Sequence, residues 1–197
     1  ASLLSPDGKL LDSKRINVRL RTVNLKRSDV FKNGDKGEFA FYVNGRKIYI
    51  KGTNWVPLDA LHSRDPQHLL KTLEMAVDLN CNMLRCWGGN VYESDAFYDF
   101  CDKNGILIWQ DFSLACTTPP QDDDFAKAME IEARSVVERL RHHPSLALWA
   151  GNNENDSSFY WLFNSNRLNI DPSKERISRK VLPEVLYELD PTRPYLP

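Results

Sequence analysis

A chain of 197 residues, 42% hydrophobic and 27% charged, has ordinary globular composition and the length of one large domain or slightly more. Its formal net charge of −1 leaves no excess of Lys and Arg to pair with phosphates, which argues against nucleic acid as a partner. No apolar run approaches the roughly 20 residues that span a bilayer, so a membrane partner is not expected either. Residues 1–11 lack the basic-then-apolar order of a secretory signal, and the compartment stays open.

Residues 16–22 alternate Ile16, Val18 and Leu20 against polar neighbours, the period of a half-buried strand. Residues 38–51 read as two strand-like runs around Asn44-Gly45, a strong short hairpin signal. Residues 1–45 therefore read as strands from a β-rich module, too few to bury a core alone, and residues 46–197 as a second unit. That unit opens with a strand from Ile48 to Trp55. A helix over 66–80 follows, with Pro66 in its first turn and Leu69, Leu73, Ala76 and Val77 on one face.

The next strand runs from Asn82 to Trp87. Ser94 to Lys103 is helical and is closed by Asn104-Gly105 as a C-cap. Ile106 to Trp109 is a third strand, with Gln110-Asp111 at its tip. The run Asp122, Asp123, Asp124 could suggest a metal site, but carboxylates at a helix N-terminus serve as caps and complement its dipole. Phe125, Met129, Val136, Val137 and Leu140 form that helix's apolar face. His142 and His143 fall in its last turn, where cations suit the dipole, and Pro144 prevents continuation. A fourth strand, 145–150, ends in Gly151-Asn152-Asn153-Glu154. A last helical stretch covers 174–189, and a fifth strand could begin after Pro191.

Cys81, Cys86, Cys101 and Cys116 form no C-x-x-C pair and have no histidine at ligand spacing. No metal or cofactor is therefore expected, and disulfides stay open. Four strand–loop–helix units in order predict an α/β fold with a parallel sheet. A (β/α)₈ barrel needs about eight units and about 250 residues, so this chain holds half of one. No glycine-rich dinucleotide fingerprint follows any strand.

The strand tips gather Asn54-Trp55, Arg85 with Trp87, Gln110-Asp111 and Asn152-Asn153-Glu154. No Ser–His or Cys–His pairing points to acyl transfer. Asn-rich turns often end strands for backbone reasons alone, but that does not account for two amides and a carboxylate in a row behind a tryptophan. Tryptophan beside amide and carboxylate suits sugar recognition: the ring stacks on a pyranose face while polar groups bond its hydroxyls. A carboxylic acid in a partly apolar site has a raised pKa and can protonate a glycosidic oxygen. On the residues alone, Glu154 could be paired with Asp111 as the two carboxylates of such a reaction.

Trp149-Ala150-Gly151-Asn152-Asn153-Glu154-Asn155 resembles the acid/base signature of β-mannosidases in glycoside hydrolase family 2. Lys51-Gly52-Thr53-Asn54-Trp55, Arg85-Cys86-Trp87-Gly88-Gly89-Asn90-Val91-Tyr92-Glu93 and Trp109-Gln110-Asp111-Phe112 resemble that family's preceding barrel segments, in family order, over about residues 38–197. Asn90 stands where many relatives have glycine.

The resemblance implies a retaining glycosidase that releases terminal β-D-mannose from oligosaccharides. Its fold would be the first half of a TIM barrel, preceded by strands from an immunoglobulin-like sandwich region. Glu154 would be the general acid/base and Asn153 the partner of the sugar 2-hydroxyl. Trp87 and Trp161 would line the glycone pocket, with Asn54 at its edge. Arg85 would orient carboxylates, and Asp111 would serve in an ionic supporting role or in sugar contact. The family's nucleophile, a second glutamate, would lie beyond residue 197, which argues against the Glu154–Asp111 pairing and makes the chain a segment inactive by itself. Exo-β-glucosaminidase or β-galactosidase of the same family, and a non-catalytic carbohydrate-binding fragment, are the alternatives. Half a barrel exposes two sheet edges, so self-association of the fragment is expected. Lysosomal, periplasmic or secreted locations all suit the parent.

Overall fold

The computed structural model describes residues 1–14, 19–28, 37–161 and 171–197, with backbone alone at 159–161. An antiparallel hairpin, β1 (Ser2–Leu4) with β2 (Leu10–Ser13), comes first. A three-stranded antiparallel sheet follows, from β3 (Val23–Ser28), β4 (Glu38–Val43) and β5 (Arg46–Ile48). Asn44 and Gly45 join β4 to β5 with φ of +49° and +76°, the backbone of a two-residue hairpin turn. Of the strand expected at 16–22, Ile16 and Val18 lie outside the described residues. Leu20 is exposed and in no strand. The strand starts later because Asn44 bonds both backbone groups of Thr22, its N–H donating to the carbonyl and its Oδ1 accepting from the amide; Val23 then pairs with Val43.

The run from Ile48 to Trp55 is not one strand. β5 ends at Ile48 in the antiparallel sheet, and β6 (Gly52–Trp55) opens a parallel one. Asn82 pins the crossing: its Oδ1 accepts from Lys51 N at 2.8 Å and its Nδ2 donates to Tyr49 O at 2.9 Å.

The parallel sheet contains β6, β7 (Met83–Cys86), β8 (Leu107–Asp111), β9 (Leu146–Ala150) and β10 (Tyr195–Leu196), each beside its sequence neighbour. Helices α1 (Asp65–Asp78), α2 (Asp95–Asn104) and α3 (Asp123–Leu140) connect the strands. Gly105 closes α2 in the left-handed conformation, and the Asp122 carboxylate accepts from Phe125 N at the start of α3. Leu73 and Ala76 of α1 are buried, whereas Val77 is 41% exposed and lies off the packed face.

Two apolar layers result. Leu84, Cys86, Ile108, Leu146 and Trp149 point to the helices. Met83, Leu107 and Leu148 point the other way and meet Val23 and Phe41, so the antiparallel sheet covers that inner face. Among the described residues no helix is long and apolar enough to cross a membrane.

The stretch 174–189 is not one helix. A 3₁₀ turn (Pro172–Lys174) and a π turn (Ile177–Val181) precede α5 (Leu182–Leu189). Pro183 has no N–H to give the carbonyl of Arg179, which breaks the α-helical ladder there. α3 ends at Leu140, before the two histidines. His143 is buried, stacked on Tyr98, with Nδ1 2.7 Å from the Asp102 carboxylate. It ties α2 to the start of β9 rather than complementing a dipole. Burial would raise the Asp102 carboxyl, but hydrogen bonds from His143 and Ser145 outweigh it and hold the group below its ordinary value.

Candidate active site

Strand alternation decides which tip residues converge. On β8, Trp109 and Asp111 project to the inner face while Gln110 between them turns to the helices, where its Oε1 accepts from Tyr98 Oη at 2.6 Å. Trp55 also turns outward: it is buried against Phe97 and donates through Nε1 to Glu93 at 2.8 Å. Trp149 stacks on Phe112 and donates to Asp190 at 2.8 Å. Gln110 and Trp55, expected among the converging tips, are thus core residues.

Arg85 on β7 and Asp111 on β8 form the centre. Arg85 Nε donates to Asp111 Oδ1 at 3.2 Å and Nη2 to Oδ2 at 2.6 Å. Trp109 Nε1 adds a donor to Oδ1 at 3.0 Å, and Gly88 N one to Oδ2 at 3.1 Å. Burial pushes the Asp111 carboxyl above its ordinary value, with the Arg85 guanidinium pulling against it. Arg85 lies 5.8 Å from the Trp109 ring centre and reaches Asn153 Oδ1 at 2.9 Å. That bond turns the Asn153 amide nitrogen toward Cys116 Sγ, 3.3 Å away.

Glu154 follows at the start of α4 (Asn155–Trp161), exposed, with φ +58°. A glutamate in this left-handed region costs about 1 kcal/mol, and the surroundings must hold it there. The loop after β8 does part of this: Asn153 N donates to Leu114 O at 2.8 Å and Cys116 N to Asn153 O at 2.7 Å. Cys116, itself at φ +51°, places Sγ 3.4 Å from Glu154 Oε2.

Trp87 is half-buried beside this group, in the loop whose Gly88 N–H binds Asp111. Asn54 is exposed on β6, in register with Arg85. Trp161 closes α4, and its side chain lies outside the described residues. A cavity of about 680 Å³ opens below the guanidinium, lined by Phe39, Ile48, Asn54, Met83, Arg85 and Trp109 among others. A separate group, Asp99, Asp102 and His143, brings possible ligand atoms within 4.8 Å of one another, but near the start of β9, not its tip.

Two residues at the site carried no site reading in the sequence. Trp109 could have been found by counting back two positions from Asp111 along the strand. Cys116 had no such signal, because the Ala115–Asn153 bridge that brings it in is a tertiary contact.

Residues 36–195 match the family described as glycosyl hydrolases family 2, TIM barrel domain. A β-mannosidase from Capra hircus is 43% identical over 153 residues, covering 77% of this chain and 17% of that protein. Among solved structures, β-D-mannosidase from Dictyoglomus thermophilum aligns with a TM-score of 0.79 and 38% identity, over 98% of this chain and 23% of that one. A β-glucuronidase from Parabacteroides merdae, 21% identical with a TM-score of 0.74 over 98% of this chain and 22% of its own, shares the fold. The chain spans about a fifth of the length of these relatives. Five parallel strands in sequence order make up part of such a barrel, and the chain belongs to glycosyl hydrolase family 2, supplying the first half of that family's TIM barrel.

Proposed function

We propose that this chain is the acid/base half of the catalytic barrel of a retaining glycoside hydrolase that releases terminal non-reducing β-D-mannose from oligosaccharides. Glu154 is the general acid/base, and Asn153 bonds the sugar 2-hydroxyl. Trp87, Trp161 and Asn54 border the glycone, and Arg85 orients Asn153 and Asp111. The nucleophile is supplied from outside these residues. Residues 1–45, with β5 paired to them, belong to the junction with a sandwich region, and the rest of 46–197 to the barrel.

The observation that carries this reading is the contrast between the two carboxylates. Both oxygens of Asp111 are occupied by four donors inside the protein, whereas Glu154 is open to solvent at the C-terminal end of the sheet. A carboxylate so saturated makes a poor nucleophile and a good support. Active sites of such barrels lie at this end, and retention needs a second carboxyl about 5–5.5 Å from the first.

The test is hydrolysis of p-nitrophenyl β-D-mannoside, β-D-galactoside and β-D-glucosaminide by the whole protein that carries this chain, with Glu154→Ala beside it. Mannoside preference with loss in the variant is expected. Preference for another glycoside would move the substrate within the family, and binding without Glu154-dependent hydrolysis would make the chain a carbohydrate-binding unit.

A further inference from the structure

We propose that Ser178, on the π turn 177–181, is a positioning residue for Glu154 and acts through the side chain of Asn152. The inference rests on the acid/base reading of Glu154. Asn152 and Asn153 hold the Glu154 turn from opposite sides. Asn153 faces Arg85 and Cys116, while Asn152 Nδ2 donates to Ser178 Oγ at 2.8 Å. The Oδ1 of Asn152 accepts from Asn155 N at 3.0 Å, so one amide spans the left-handed residue and fixes the peptide after it.

Ser178 is well placed to anchor that amide because it is itself immobilised. It is fully buried; its N–H donates to Glu175 Oε2 at 2.7 Å, and its carbonyl accepts from Tyr195 Oη. Glu175, also fully buried, takes Ile177 N at 2.8 Å as well, capping the π turn. Gly151 shows how tightly the strand end and this turn meet: a Cβ there would stand 2.5 Å from Tyr195 Oη and 2.7 Å from Ser178 Cβ. Ser178 meets Asn152 from within the π turn, and π turns are frequent at functional sites.

Without Ser178 Oγ the Asn152 amide loses its anchor, and Glu154 is free to relax toward right-handed φ and swing its carboxyl. An acid/base matters most for a leaving group that needs a proton. In the whole protein, Ser178→Ala should lower kcat/KM on mannobiose about tenfold and on dinitrophenyl β-D-mannoside less than about twofold. Adding Ser178→Ala to Asn152→Ala should cost nothing further, since both act through one bond. Amide hydrogen exchange across residues 152–158 should rise about tenfold in Ser178→Ala. Asn152→Asp, which accepts from both Asn155 N and the Ser178 hydroxyl, should stay at the wild-type exchange rate and serves if Ser178→Ala does not fold. Equal losses on both substrates, additive losses in the double variant, or unchanged exchange would overturn the proposal. Wild-type protein lacking Glu154-dependent hydrolysis would instead overturn the acid/base reading, and the exchange measurement would still decide whether Ser178 holds the turn.

Discussion

Arg85 and Asp111 are joined by two hydrogen bonds across adjacent parallel strands, with the carboxylate fully enclosed and the guanidinium 28% exposed. Removing the cation leaves a buried carboxylate uncompensated, which in comparable sites costs about 3 kcal/mol. Arg85→Ala should therefore lose about that much stability in urea unfolding. Asp111→Asn should be destabilised too, because its one oxygen keeps two of the four bonds while its amide nitrogen faces two donors. Equal stability of Arg85→Ala and wild type would show that the pair contributes nothing to the fold.

With an activated aryl mannoside, Glu154→Ala should chiefly slow breakdown of the glycosyl-enzyme, because the departing phenolate needs no acid but the incoming water needs a base. Azide, which needs no base, should restore part of the lost turnover. Asp111→Ala should show no such rescue. The reverse pattern, rescue in Asp111→Ala with full rate in Glu154→Ala, would exchange the two roles.

The Asp102 carboxyl is held below its ordinary value in the folded protein, hydrogen bonds outweighing the effect of its burial. A depressed carboxylate contributes stability above its unfolded pKa and loses it as pH falls through the folded one. The stability difference between wild type and Asp102→Asn should therefore be constant near neutrality and shrink below about pH 4. Urea titrations at several pH values measure it, and a difference that grows on acidification would contradict the sign.

Cys116 is exposed, while Cys86 and Cys101 are buried and their thiols are pushed well up by desolvation. Iodoacetamide on native protein should modify Cys116 first and reach Cys86 and Cys101 only after unfolding. Peptide mapping reads the order, and early labelling of Cys101 would mean that α2 opens readily.

The isolated chain should self-associate. β6 is an edge of the parallel sheet, and Phe39 and Tyr49 beside it are 55% and 84% exposed. An open apolar sheet edge pairs with whatever strand it meets. Light scattering decides this, and a dilution-stable monomer of 22.7 kDa would refute it.

Local chemistry was legible directly from the chain. The Asn44-Gly45 turn, the Gly105 cap and the Asp122 cap each depend on residues within a few positions of one another, and each formed as the sequence indicated. The apolar runs that became β7, β8 and β9 were legible too, since a strand buried on both faces needs no partner to be recognised. The inner or outer facing of each tip residue was not. Trp109 and Trp149 look alike in sequence, yet one lines the inner face and the other stacks on Phe112 beneath the helices. Pleat phase depends on register with a neighbouring strand, and a one-residue shift reverses every side chain.

The break between β5 and β6 was hidden for a related reason: it is made by Asn82, more than 30 positions along the chain from Lys51 and Tyr49. The same holds at the candidate site. Arg85 meets Asn153 from 68 residues away, and Cys116 reaches Glu154 from 38. By itself the sequence determined the strands and helices from β7 to β9, their caps and the motif residues. Tertiary structure alone decided which carboxylate is enclosed and which faces solvent, because three of the four donors to Asp111 come from residues 85–88, which only the pairing of β7 with β8 brings beside it.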